Sequence, residues 1–360
     1  MPTKRVLIAP LDWGLGHATR SIPVIRSLME AGCIPVIAAE GLQAALLRKE
    51  FPEAVFVALP GYRMTYARSG RAFGWKMLQQ LPKMRRAIQQ EHRWLQQLAA
   101  QMPLDGIVSD NRFGLHHPSI PSVILTHQLH IRSPFPGRPE KWLQQVNYRY
   151  LQNFDACWIV DYAGTDNLAG KLSHPDQMPS LPVHYLGPLS RFAPPVPQPI
   201  RYDLLALISG PEPQRTAFEQ LLSRQLTRLP LRAMIVCGRP DQPKTEKLSA
   251  TVTRVHHLDT MRLQEALQQS ALVVARSGYS TVMDLVQLEK KGILVPTPGQ
   301  SEQAYLGARL MDKGYFMSMP QAGFELAQAL AQARHFSFRR PELPAQPAYE
   351  QVIRNFVANL

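Results

Sequence analysis

Short apolar runs alternate with helix-spaced stretches along most of this chain, and that alternation leaves few folds open. In the first half the runs fall at 6–9, 34–38, 54–58, 106–109, 122–125 and 156–160, with helical spacing at about 18–31, 41–50, 74–101 and 138–153. Strands this apolar are covered on both faces, and strands separated by helices run parallel. Residues 186–199 hold too many prolines for either element and read as a stiff linker. The alternation then resumes, with runs at 204–209, 233–237, 252–255, 271–275 and 292–295. A break from Pro341 to Pro347 precedes helical spacing through Val352, Ile353, Phe356 and Val357. The expected class is α/β, with two doubly wound parallel-sheet domains at 1–187 and 202–343. A linker at 188–201 joins them, and 344–360 forms a terminal helix.

The first strand runs into Ala9-Pro-Leu-Asp-Trp-Gly-Leu-Gly-His-Ala-Thr-Arg20, and an amphipathic stretch follows. Strand, glycine turn and helix together aim backbone N–H groups and a helix dipole at an anion. Gly14 and Gly16 supply the turn, and His17 stands where an imidazole faces whatever the loop holds; an exposed residue at a helix start is the plainer reading. Asp110 and Asn111 follow the fourth strand, and His127-Gln-Leu-His130 follows the fifth. They are candidates for orienting the imidazole or meeting an acceptor.

Two corners in the second half carry polar groups of another kind. Arg276-Ser-Gly-Tyr-Ser-Thr-Val-Met-Asp284 follows one strand, and Thr297-Pro-Gly-Gln-Ser-Glu-Gln303 follows the next. Ser277, Gly278, Ser280 and Thr281 offer hydroxyls and amides at a helix start, and Asp284 lies one turn further in. A carboxylate bidentate to a diol and a helix N-terminus on a diphosphate suit a nucleotide sugar; ordinary helix capping is the competing explanation. All of these groups, with Ser209-Gly210 and Leu258, sit at strand C-termini, where open parallel sheets bind ligands.

Taken together, these residues resemble the GT-B glycosyltransferases of family 28, the group that completes the lipid-linked peptidoglycan precursor. The signature from Arg276 through Pro296 to Gln303 carries the resemblance most specifically. It implies two Rossmann-like domains facing an interdomain cleft, with the C-terminal helix crossing back to the first. It also implies transfer of a hexose or N-acetylhexosamine from a UDP-sugar to a hydroxyl, with inversion. By the same resemblance Asp284 holds the donor ribose, although the family more often has Glu there. Glu302 and Gln303 read the donor sugar, where Gln-Gln is commoner. The backbone at Leu258, ahead of Met261, meets the uracil edge. Arg191 lies by the diphosphate, and His17 is the histidine of the glycine loop. The loop departs from the family pattern at Asp12-Trp13 and Leu15, where glycines are usual.

An alcohol attacks an anomeric carbon poorly at neutral pH, so a base helps; His17 is the candidate, with Asp110 behind it. No Asp-x-Asp pair is present, so no metal and no other cofactor is expected. The adjacent pairs His116-His117 and His256-His257 do not suit one ion. Cys33, Cys157 and Cys237 are widely spaced in apolar surroundings and read as reduced core thiols. The net charge of +13 asks for an anionic partner. Much of it lies within 63–93, mixed with Tyr62, Tyr66, Phe73 and Trp75. Lipid headgroups fit that segment better than nucleic acid, since no nucleic-acid motif accompanies it; a solvated helix face is the plainer alternative. No apolar run spans a membrane, and the first is too short for a secretory signal, so a cytoplasmic protein at the inner membrane face is expected. Two other functions compete. One is a nucleotide-sugar hydrolase or epimerase with the same Gly-x-Gly-His loop and following Arg20; the other is a non-catalytic nucleic-acid binder.

Overall fold

Val6, Leu7, Ile8 and Ala9 have no exposed surface, because strand β1 (Arg5–Pro10) lies at the centre of a sheet covered on both faces. The computed structural model describes residues 3–62, 81–132, 137–239, 244–342 and 348–360. The chain clusters into two compact units: Met1–Thr65, Gly74–Leu189 and Leu343–Leu360 form one, and Tyr66–Phe73 and Ser190–Glu342 the other.

In the first unit β1 pairs in parallel with β2 (Ile34–Ala38) on one side and β4 (Gly106–Asp110) on the other. The full order is β3-β2-β1-β4-β5-β6-β7, every neighbour parallel, with β3 at Val55–Val57, β5 at Ser122–Thr126, β6 at Ala156–Ile159 and β7 at Val183–Tyr185. The winding reverses between β1 and β4, so a crevice opens beyond their C-terminal ends. Helices α1 (Leu15–Glu30), α2 (Gly41–Glu50), α3 (Leu81–Gln101) and α4 (Arg138–Leu151) connect the strands. The short strand β7 was not legible in the sequence. Its residues Val-His-Tyr are only half covered and make no apolar run.

The second unit repeats the winding with β8 (Tyr202–Leu207), β9 (Ala233–Val236), β11 (Val252–Val255), β12 (Ser270–Ala275) and β13 (Gly292–Leu294), in the order β10-β11-β9-β8-β12-β13-β14. Here the reversal falls between β8 and β12. Two edge strands escape the sequence reading: β10 (Thr245–Lys247), which is antiparallel to β11, and the two-residue β14 (Met317–Ser318). Helices α5 (Gln214–Leu226), α6 (Thr260–Gln268), α7 (Tyr279–Gln287), α8 (Ser301–Asp312) and α9 (Leu326–His335) flank this sheet.

The C-terminal helix α10 (Ala348–Ala358) belongs to the first unit. Ile353 and Val357 are buried, and Phe356 meets Trp158 edge-on at 5.3 Å between ring centroids. A β-carbon at Gly106 would stand 3.0 Å from Leu360 and Phe356, so glycine at the start of β4 is what lets the helix approach. Lys4 donates to the Val357 carbonyl at 2.7 Å, binding the two ends of the chain together.

The three cysteines are buried free thiols. Tyr62 belongs to the core instead of the basic surface: it is buried and its hydroxyl donates to Glu91 at 2.7 Å. Glu91, the acid within the basic segment, is itself buried beside Arg112, 3.2 Å away. Of the basic residues, Lys83, Arg85, Arg86 and Arg93 are exposed on α3. Residues 63–80, with the rest of the segment, lie outside the described residues. Among the described residues no helix is long and apolar enough to cross a membrane.

Candidate active site

The register of β1 against β4 places Asp110 beside Pro10, at the root of the glycine loop. Gly14 caps α1 with φ 91°, a conformation that glycine adopts without strain, and His17 then sits in the first helical turn. Its Nδ1 is 3.1 Å from Asp110 Oδ1, with the ring 14% exposed and the carboxylate fully buried. Arg20, one turn further along α1, holds the same carboxylate from Nε at 3.1 and 3.0 Å and from one Nη. Its other Nη is 3.0 Å from His127 Nδ1.

The electrostatics of this cluster fix its protons. Burial pushes the Asp110 carboxyl up, but the charge of Arg20, with His17 and the hydrogen bonds from both, outweighs it and holds the group at about 2. An ionised carboxylate only accepts, so His17 Nδ1 carries the proton and donates it to Asp110. Burial lowers the His17 pKa, the charge of Arg20 lowers it further, and Asp110 opposes both. A neutral imidazole with its lone pair on Nε2 results. By the same logic Arg20 only donates, so Nδ1 of His127 accepts.

Side chains that the sequence did not single out support the loop. Gln43 on α2 is buried and its Nε2 donates to the Leu11 carbonyl at 2.6 Å and the Gly14 carbonyl at 2.7 Å. Nothing in the sequence marks it, since a glutamine on a helix is usually a surface residue. Asn111 takes φ 56° directly after β4. His130 does not join the cluster; its Nε2 is 3.1 Å from Glu140 on α4. The backbone amides of Leu129 and His130 both donate to the Leu172 carbonyl, and Gln144 and Asn147 hold the Leu129 carbonyl.

In the second unit Asp284 is buried on α7 and accepts the Ser190 hydroxyl at 2.7 Å, with Arg191 Nε 3.8 Å away. Burial raises its pKa, while Arg191 and Ser190 work against that. Ser190 is a second partner that the sequence reading missed; its neighbour Arg191 was the only signal. Gly278 caps α7 and, being glycine, makes no side-chain cap bond. Ser280 and Thr281 follow in its first turn, half-buried. Ser209 is half-buried after β8, and Gly210 takes φ 104°. Leu258 is half-buried and Met261, in the first turn of α6, is 83% exposed.

Three residues read as donor contacts also bond to the framework. Arg276 is buried over the Phe218 ring and donates to the carbonyls of Val295, Pro296 and Gln214. Ser277 is fully buried and donates to the Gln303 carbonyl at 2.8 Å. Gln303 turns its side chain inward, accepting the Thr297 amide at 2.9 Å and donating to Gln300. The reason is common to all three: a corner between parallel strands leaves backbone groups without ladder partners, and buried backbone groups must be paired. Glu302, next to Gln303, is half-buried in the first turn of α8. Among the described residues, no group of three or more His, Cys, Asp or Glu side chains is placed to hold a metal ion.

Residues 214–353 match the glycosyltransferase family 28 C-terminal domain. The chain is 29% identical over 132 residues to a UDP-N-acetylglucosamine–N-acetylmuramyl-(pentapeptide) pyrophosphoryl-undecaprenol N-acetylglucosamine transferase of Methylorubrum extorquens. That match takes in 34% of this chain and 36% of the relative, so the chain spans about a third of the relative's length. Among solved structures it is similar to the MurG of Acinetobacter baumannii, with TM-score 0.57, 15% identity and all of both chains covered. It is also similar to the spinosyn rhamnosyltransferase SpnG, with TM-score 0.65, 17% identity and 98% and 99% of the two chains covered. These likenesses show a shared GT-B fold.

Proposed function

We propose that this chain, a GT-B glycosyltransferase of the family 28 type, moves a hexose or N-acetylhexosamine from a UDP-sugar to an acceptor hydroxyl. One observation carries the reading: an imidazole held by a buried carboxylate at the switch point of the first sheet, an arrangement that leaves Nε2 to act as the base. The acceptor oxygen attacks the anomeric carbon from the face opposite the nucleoside diphosphate. Its proton passes to His17 Nε2, the glycosidic bond forms, and the diphosphate leaves with the electrons of the broken C–O bond. A single displacement of this kind inverts the anomeric centre. Asp110 steadies the imidazolium that forms, and no metal is required.

The second unit supplies the donor side of this reading. Asp284 holds the ribose hydroxyls and the backbone at Leu258 meets the uracil edge. The glycine-capped start of α7 offers N–H groups to the leaving diphosphate, where the helix dipole favours negative charge. Exposed Lys83, Arg85, Arg86 and Arg93 support an anionic membrane surface as the place where the acceptor is met. The relative from Methylorubrum is named for a lipid-linked acceptor, which agrees with that choice.

The test is a thermal-shift screen against UDP, TDP, GDP and their sugars, followed by turnover with candidate acceptors. Selective stabilisation by UDP and its sugars supports the reading, since a ligand that binds only the folded state raises stability in proportion to ln(1 + [L]/Kd). The same dyad can activate water. Full-rate release of free sugar with no acceptor present would make the chain a hydrolase.

A further inference from the structure

Arg20 and His17 bind one carboxylate from the same helix. Arg20 is 2% exposed and fully committed: one edge of its guanidinium grips Asp110 and the remaining Nη reaches His127. Among the described residues, the charged and titratable groups facing the His17 ring are Arg20 on α1, Asp110 on β4 and His127 after β5. With Arg20 positive and Asp110 negative the buried cluster sums to zero while His17 is neutral. A proton on His17 leaves it with a net positive charge in a poorly solvated place. Without the arginine, burial alone would oppose the carboxylate's pull toward imidazolium, and the neutral form would lose its second support.

We infer that Arg20 is a positioning residue for the proposed transfer: its fork fixes the Asp110 carboxylate against His17 Nδ1 and cancels its charge, so the imidazole waits as the neutral tautomer with Nε2 basic. This inference rests on His17 being the base. Lysine does not replace Arg20 in this role, since a single ammonium cannot span both Asp110 oxygens and His127 in one plane.

The test reads the His17 ring by nitrogen NMR across pH in the wild type, Arg20→Gln and Arg20→Lys, with His17→Gln assigning the signal. The wild type should show a neutral ring protonated on Nδ1 to well below the usual histidine range. In Arg20→Gln the titration midpoint should rise by about one unit or more, as expected when a nearby like charge is removed. Arg20→Lys keeps the charge, so its midpoint should stay near wild type. Its Nδ1–H population should fall, and kcat should drop by about tenfold or more with UDP affinity unchanged. An unchanged midpoint and tautomer in folded Arg20→Gln would overturn the inference. If that variant does not fold, wild-type ring signals and kcat in Arg20→Lys would overturn it. The ring is read without substrate, so a failure here is distinct from a failure of the transferase reading, which catalytic assays of His17→Ala decide.

Discussion

His17 Nδ1 lies 3.1 Å from Asp110 Oδ1, so one hydrogen bond joins a helix start to a strand end 93 positions away. The parallel register that pairs Pro10 with Asp110 makes this contact, and the buried Arg20 keeps the carboxylate ionised. The geometry of this cluster thus follows from how the first sheet is wound.

Replacing Asp110 with Asn keeps the shape and removes the charge. The imidazole loses its reason to hold the proton on Nδ1, and kcat should fall by about 10²–10⁴-fold. Stability should change with pH as well. The folded pKa is held at about 2 against an ordinary value of 3.8, so the ionised group stabilises the fold fully above 3.8 and loses that contribution as pH falls toward 2. The linkage is worth on the order of 2 kcal/mol. Acid titrations of stability should therefore be flatter below pH 4 in Asp110→Asn; parallel curves for the two proteins would contradict the ion-paired state.

Gln43→Ala tests whether the glycine loop is held from α2. Two backbone carbonyls lose a shared donor, which should cost about 1–3 kcal/mol. Chemical denaturation measures that loss, and kinetics should show kcat falling more than UDP affinity. A variant as stable and active as wild type would mean that the loop holds its shape without this tie.

The sheets and their winding were legible because strands buried on both faces make unbroken apolar runs, as at β1 and β12. The half-covered edge strands β7, β10 and β14 leave no such trace. The site was legible in part. His17 and Asp110 announced themselves by their places at strand ends, and the structure brings them together. Arg276, Ser277 and Gln303 occupy equally telling places but face inward, because a motif shows position along the chain and not which way a side chain turns. Gln43 and Ser190 act through single long-range hydrogen bonds, which no local pattern encodes.

Asp284→Ala addresses the donor side. If the carboxylate holds the ribose, removal of a charge-assisted bond should weaken UDP binding tenfold or more, corresponding to about 1.5–3 kcal/mol. Calorimetry on the folded variant decides; an unaltered UDP affinity would confine Asp284 to its contacts with Ser190 and Arg191.

If helix N-termini meet the leaving diphosphate in place of a cation, excess chelator should leave turnover intact. Loss of activity in EDTA, restored by Mn²⁺ or Mg²⁺, would show that the charge is neutralised by a metal.

The central claim is that His17 acts as the base, and His17→Ala separates this from every donor-binding role. Alanine is a good helix former, so the start of α1 should survive. With saturating donor and the true acceptor, kcat should fall by about 10²–10⁴-fold while the Kd for UDP stays within about twofold. Wild-type kcat in the folded variant would contradict the account, and so would a loss confined to donor binding.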